Sequence, residues 1–414
     1  MKILLINHYA GSDRMGMEYR PFYFAREWLA MGHDPTILAA GFSHLRHRQP
    51  QLVADLERTE ESGVPFRWLR TARYGGNGAG RVASMATFVG KLRLHARRLA
   101  REHRPDMVIC SSTYPLDIYA GARIARAAAA RLVFEVHDLW PLTPMLLGQY
   151  SPRHPYIQVL QRAEDWAYRH ADAVVSILPH ARHYMVSRGM DPRKFAHVAN
   201  GVPVAHLLDG AEDALPSELA ALIEAERARG RFLLGYAGGL TLSMSVETLL
   251  QVAERLAGAG MAMFIVGDGP EGAALREQAA RLGVDSVHLP GRIAKAAVPA
   301  FLARMDALMI PWRRSPLYRF GVSPNKLFDY MLAGRPIVQA CAASNDLVAE
   351  AGCGFTVEPE NPAAFAKAVC QLRAMPAAER RKLGDNGRRF VMQRHDCRVL
   401  AGRFLDAVAA ASDL

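Results

Sequence analysis

A chain of 414 residues, 50% hydrophobic and 22% charged, is too long for one ordinary core and too apolar for disorder, which excludes a small binding module and predicts two domains. Up to Val204 it carries 27 Lys+Arg against 17 Asp+Glu, and after it 24 against 23, so the first half holds nearly all of the net +11; that half suits nucleic acid, an anionic membrane or a phosphorylated substrate, unless the arginines reflect coding bias alone. The longest charge-free stretch, Phe232 to Val246, is 15 residues and includes three Gly. It is too short and polar to span a bilayer, no secretory run follows Met1, and five cysteines without a close pair read as reduced thiols, so the expected compartment is the cytosol.

The chain opens with an apolar strand, Ile3 to Asn7, followed by a Gly-containing loop, a helical pattern from Pro21 to Met31 and a strand ending near Ala40. This is a βαβ unit. A helix over roughly Arg81 to His103 has an apolar line at Val82, Met85, Val89, Leu92, Ala96 and Leu99, with flanking basic residues suited either to solvent or to anionic lipid. Apolar runs recur at Met107 to Cys110, Leu132 to Val136 and Ala173 to Leu178, the rhythm of a parallel sheet covered on both faces. Asn200-Gly201-Val202-Pro203 and the acidic stretch Asp209 to Glu218 predict a hinge. The pattern then restarts: strand Phe232 to Ala237, Gly-rich loop, a helix through Leu249, Leu250, Ala253 and Leu256, and strands at Met261 to Val266, Val287 to Leu289, Ala307 to Pro311 and Pro336 to Gln339. The expected fold is α/β, two Rossmann-like doubly wound domains facing a cleft.

Gly267-Asp268-Gly269-Pro270-Glu271-Gly272 fits G-x-G-x-x-G. Its carboxylates would meet a pyrophosphate and Pro270 lacks an N–H, so a tight structural turn is favoured over a nicotinamide site. Gly16, read at the entrance of the first helix, either admits a phosphate or sugar hydroxyl or serves only the turn. His137, one of fifteen histidines, stands out by its place at the C-terminal end of a buried strand. His44-x-x-His47 and His180-x-x-His183 lack a third ligand and read as surface pairs. No Asp-x-Asp occurs, which points to neutralisation of phosphate by cations and helix N-termini. Ser323-Pro324 reads as a helix start, with Ser as N-cap and Pro at the first helical position. Lys326 and Asp329 then share one face, either as a diphosphate-and-ribose site or as a salt-bridged helix start.

These residues, with Asn7 to Gly11, Gly16 to Pro21, Glu135 to Trp140, Asn200-Gly201-Val202, Leu289 to Arg292 and Ser323 to Gly334, make the sequence resemble the retaining glycosyltransferases of family four, with the two-domain GT-B fold. Its opening and Phe134 to Leu142 are similar to the subgroup that adds fucosamine-type amino sugars during surface-polysaccharide assembly. The resemblance implies an acceptor-binding domain over 1–204, a nucleotide-sugar-binding domain over 205–389, and a final helix over 390–414, from about Phe390, crossing back to the first. It implies His137 facing the reacting sugar, Asn325 and Lys326 at the diphosphate, Asp329 on the ribose, and Arg292 and Ile293 reading the base through backbone groups, with Gly16, Gly321, Val322 and Ser323 also at the donor. Chemistry would fall to His137 and Lys326. Gly321 replaces the family's earlier carboxylate, and the loop Gly238 to Ser245 lacks the usual Arg and Lys, which shifts phosphate neutralisation to Lys326 and to Arg313, Arg314 or Arg319.

The implied reaction is retaining and metal-independent, with no cofactor. The donor would be UDP-linked, carrying an N-acetylated amino or deoxy sugar, and the acceptor a glycan or a polyprenyl-diphosphate-linked sugar. A peripheral place on the anionic inner face of the plasma membrane is expected; a nucleic-acid partner is not. The alternatives are an epimerase of the same fold, an NAD-dependent dehydrogenase, disfavoured by the acidic Gly loop, and a non-enzymatic anion-binding protein.

Overall fold

The computed structural model describes residues 1–16, 18–76, 78–209 and 215–411; Met17 and residues 210–214 of the acidic stretch at the expected hinge lie outside them. The chain forms two compact units, one of residues 1–200 and 397–414, the other of residues 201–396.

In the first unit eight strands, β1 (Lys2–Ile6), β2 (Asp34–Ala40), β3 (Glu57–Glu61), β4 (Val64–Leu69), β5 (Met107–Cys110), β6 (Arg131–Val136), β7 (Ala173–Ser176) and β8 (Phe195–His197), form one sheet in the order β3-β4-β2-β1-β5-β6-β7-β8. All neighbours are parallel except β3 and β4. β1 buries Ile3, Leu4, Leu5 and Ile6 alike, because helices cover both faces and no alternation is required. The Arg20–Ala30 helix packs one aromatic side against the Cys397–Ala410 helix: Trp28 Nε1 donates to Ala401 O at 3.0 Å, and Phe404 meets the Phe24 and Trp28 rings edge-on. Trp28 and Phe404 are fully buried, each worth about 1.5–3 kcal/mol or more in apolar transfer. The chain therefore re-enters the first unit at Cys397, later than the expected Phe390; Phe390 belongs to the core of the second unit.

The long helix is Ala79–His103, and its buried line is Ser84, Met85, Phe88, Leu92, Ala96, Leu99 and Ala100. Val82, expected on that line, is 41% exposed. In the first turn it is Arg81 that turns inward, its Nε donating to Tyr9 Oη at 3.0 Å. The outer face carries Arg93, Arg97, Arg98 and Arg101 around Leu94, which is 76% exposed.

The second unit has β9 (Phe232–Ala237), β10 (Met261–Val266), β11 (Val287–Gly291), β12 (Ala307–Pro311), β13 (Ile337–Ala340) and β14 (Gly354–Val357), all parallel in the order β11-β10-β9-β12-β13-β14. The acidic Gly loop is the structural turn expected of it. A Cβ at Gly267 would sit 1.9 Å from Gly238 O and one at Gly269 2.3 Å from Leu240 O, so the loop lies flat on the loop after β9. In each unit the strand order reverses beside the first strand, at β1/β5 and β9/β12, the place where doubly wound sheets open a crevice at their C-terminal edge.

Candidate active site

In the first unit the crevice holds a chain of charges. Glu135, at the end of β6, receives Arg20 Nε at 2.9 Å on one oxygen and Ser111 Oγ at 2.5 Å on the other. Arg20 is fixed by Ala199 O and Val198 O at 2.6 and 3.0 Å. His137 bridges outward: Nδ1 lies 2.8 Å from Glu18 Oε1, and Nε2 lies 3.1 Å from Glu135 Oε2 and 3.0 Å from Ser111 Oγ. Burial alone would lower the His137 pKa, but the Glu18 and Glu135 carboxylates overcome it and push it up to about 10. Burial likewise opposes ionisation of Glu135, and Arg20 and His137 reverse that, holding its carboxyl far below the usual range. His137 is thus an imidazolium with both N–H groups directed at carboxylates. Its side chain is 8% exposed and that of Glu18 23%, so Glu18 is the part of this chain of charges that meets solvent.

Glu18, Arg20 and Ser111 were not singled out from sequence as site residues. Glu18 and Arg20 stand in the same Gly16 to Pro21 segment that carries the family likeness, and that was the available signal. Gly16 is not at the helix entrance, because the helix begins at Arg20. It bridges to Arg46 and has φ 109°, and a Cβ there would meet His47 Nδ1 at 2.8 Å, so the glycine is required by the close pass of the 43–48 loop.

In the second unit the Asn325–Leu332 helix begins one residue later than expected, with Pro324 in the cap position and no side-chain cap; Ser323, read as the N-cap, is buried before it. Lys326 Nζ donates to Tyr236 Oη at 3.0 Å and lies 4.8 Å from the centre of that ring. A Cβ on Gly238 would come within 2.7 Å of Nζ, so the glycine after β9 makes room for the ammonium group. Tyr236 Oη passes its proton to Gly239 O at 2.8 Å, and Tyr330 Oη ties both backbone groups of Ala237. Burial pushes the Lys326 pKa down to about 8. One turn on, burial raises Asp329 to about 6, with Lys295 opposing. Lys295 stands in the loop after β11, three residues beyond the exposed Arg292, and Ile293 packs on the second core.

Gly321 adopts φ 89°, and Asn345 takes both backbone groups of Val322, accepting from its N at 2.8 Å and donating to its O at 3.0 Å. Arg313 is paired with Glu247 and Arg314 with Glu358, while Arg319 lies over the Phe320 ring. Of the cations expected to face phosphate, Lys326 brings its ammonium group to the first residue of the loop after β9, Gly238, whereas Arg313 meets the far end of that loop through its backbone N–H, which donates to Ser243 O at 3.1 Å. Among the described residues no group of three or more His, Cys, Asp or Glu stands arranged to hold a metal ion, and no helix is long and apolar enough to cross a membrane. All five cysteines are free thiols.

Two family models match the chain in tandem, a glycosyl transferase 4-like domain over residues 16–201 and glycosyl transferases group 1 over residues 231–374. A curated relative, the probable glycosyltransferase WbjE of Pseudomonas aeruginosa, is 23% identical over 281 residues, 66% of this chain and 67% of that one. Anabaena HepE in complex with UDP superposes with a TM-score of 0.68 at 16% identity, covering 99% of this chain and 100% of the other. Sucrose-phosphate synthase of Thermosynechococcus elongatus gives 0.73 at 16% identity, covering 99% of both. With one glycosyltransferase model on each doubly wound sheet, and solved structures that follow the chain from end to end, the protein belongs to the GT-B glycosyltransferases.

Proposed function

We propose that the protein is a retaining, metal-independent transferase that takes an N-acetylated amino or deoxy sugar from UDP and passes it to a glycan or polyprenyl-diphosphate-linked acceptor in surface-polysaccharide assembly. The observation that carries the reading is the Lys326 ammonium, half-buried against a tyrosine and a glycine loop at the start of a helix, with Asp329 one turn away. A diphosphate would receive Lys326 and the free N–H groups of the helix start, and Asp329 would accept from the ribose hydroxyls. HepE with UDP-glucose and an E. coli structure with UDP-2-fluoro glucose, both of this fold, support a UDP donor. In the reaction the bond from the anomeric carbon to the diphosphate oxygen breaks and the acceptor oxygen bonds to the same face. The acceptor proton leaves on the departing phosphate oxygen. The Glu18 carboxylate, held in place by the His137 imidazolium, supplies fixed negative charge in the first unit toward the sugar as positive charge develops on it, with His137 positioning it.

Calorimetry with UDP, GDP and NAD, followed by NMR of the product anomer with and without EDTA, tests this. Binding of UDP and a retained anomeric configuration insensitive to EDTA are expected; binding of NAD and not UDP overturns it. The Arg93, Arg97 and Arg101 face around Leu94 supports attachment to the anionic cytoplasmic membrane surface. Equal recovery on anionic and neutral liposomes at low salt would remove that part of the reading.

A further inference from the structure

In the second unit the loops that leave β12 and β13 are tied together at the approach to the Asn325–Leu332 helix. Ser344 N donates to Tyr318 O at 3.0 Å, as does Gly321 N. The Asn345 carboxamide pairs with Val322 as a neighbouring strand would, Oδ1 accepting from Val322 N at 2.8 Å and Nδ2 donating to Val322 O at 3.0 Å. A carboxamide can accept and donate on one short arm, whereas an aspartate in its place could only accept. The clamp has a firm base. Asp346, the next residue, caps the Leu347–Ala351 helix through Ala349 N at 3.0 Å, and the same Oδ1 receives Gln339 Nε2 from β13 at 2.9 Å and Thr356 Oγ1 from β14 at 2.8 Å. Gln339 is 3% exposed, so Asn345 is registered against the sheet itself. What it holds is nearer the surface: Val322 is half-buried, beside Gly321 at φ 89° with no side chain to offer.

A diphosphate at the helix start with its ribose on Asp329, one turn into the helix, directs its other substituent, the sugar, toward the residues that precede the helix. Those residues are Gly321, Val322 and Ser323. We infer that Asn345 is a positioning residue for the transferred sugar: by fixing both backbone groups of Val322 it sets the wall on which the sugar rests, without touching the uridine diphosphate. This role rests on the donor reading of Lys326 and Asp329 and adds to it what holds the sugar end of the site.

Full-length protein is titrated by calorimetry with UDP, UDP-glucose and UDP-N-acetylglucosamine, and amide exchange at Val322 is followed in the presence of each. In the wild type the tighter-bound UDP-sugar should slow Val322 exchange about threefold beyond the effect of UDP. Asn345→Ala should weaken that UDP-sugar about tenfold while UDP stays within about twofold of its wild-type affinity, and Asn345→Asp, which keeps the bond from Val322 N, should fall between. Should Asn345→Ala not fold, Asn345→Asp and the wild-type exchange decide. Equal losses of UDP and UDP-sugar, a lowered melting temperature with both affinities kept, or Val322 exchange that UDP and the UDP-sugar slow alike, overturns the proposal and leaves the donor reading standing. Binding of neither UDP nor a UDP-sugar by the wild type means that the donor reading has failed, and the role of Asn345 falls with it.

Discussion

The two units handle buried charge in opposite ways. Around His137 every charge has an opposite one in contact, from Arg20 through Glu135 to the imidazolium and on to Glu18. Around Lys326 the contacts are a phenol, a ring and a glycine, and burial moves Lys326 and Asp329 toward neutrality. A saturated ion chain stabilises its own geometry. A desolvated cation at a helix start, in contact with a neutral phenol, gains when a diphosphate arrives, and the saturated arrangement does not.

The largest expected effect breaks the saturated side. His137→Ala leaves Glu18 and Glu135 facing each other, and removing one partner of a buried ion pair typically costs about 3–5 kcal/mol. The melting temperature should fall by several degrees, with kcat reduced and UDP affinity, measured by calorimetry on folded protein, unchanged. The sign with pH follows from the raised pKa. Stability from His137 is fully present below its unfolded value of about 6.5 and is lost as pH rises through about 10. The melting gap between wild type and His137→Gln should therefore close over that interval; a constant gap would mean packing, not charge, holds the site.

Lys326→Met should do the reverse. Removing a desolvated cation with no carboxylate in contact leaves the melting temperature of the free protein level or higher, yet the lost charge-assisted bond, about 1.5–3 kcal/mol, weakens UDP by roughly one to two orders of magnitude. In the wild type, UDP affinity should decline as pH rises above about 8, where the free ammonium deprotonates, and the variant should lack that decline. Asp329→Asn sharpens the comparison with a smaller effect, about tenfold on UDP and none on uracil alone.

Most of this fold was legible because central parallel strands advertise themselves. β1, β5, β9, β10 and β12 are continuous apolar runs, and their bounds shift by no more than a residue or so. β3 was missed since Glu57–Glu61 has no apolar alternation; it is a strand through its antiparallel pairing with β4. β14 was missed because Gly354 argues against a strand, although a Cβ there would lie 1.8 Å from Ile337 O and the sheet edge admits nothing larger. The site divides likewise. Lys326 and Asp329 are one turn apart on one helix and could be read together, and Glu135 stands two residues before His137, whereas Glu18 and Ser111 meet His137 from two other segments. Nothing in local sequence announces a meeting made by strand order.

The helix that seals Trp28 also sets the order in which the molecule can be made. Residues 1–200 leave the ribosome with Trp28 and Phe24 uncovered, and their cover, Phe404 and Ala401, is translated only after the whole second unit. At about 5–20 residues per second that interval is roughly 10–40 s. The second unit, contiguous in the chain, can close first, and the first unit waits with an apolar stripe open to chaperones.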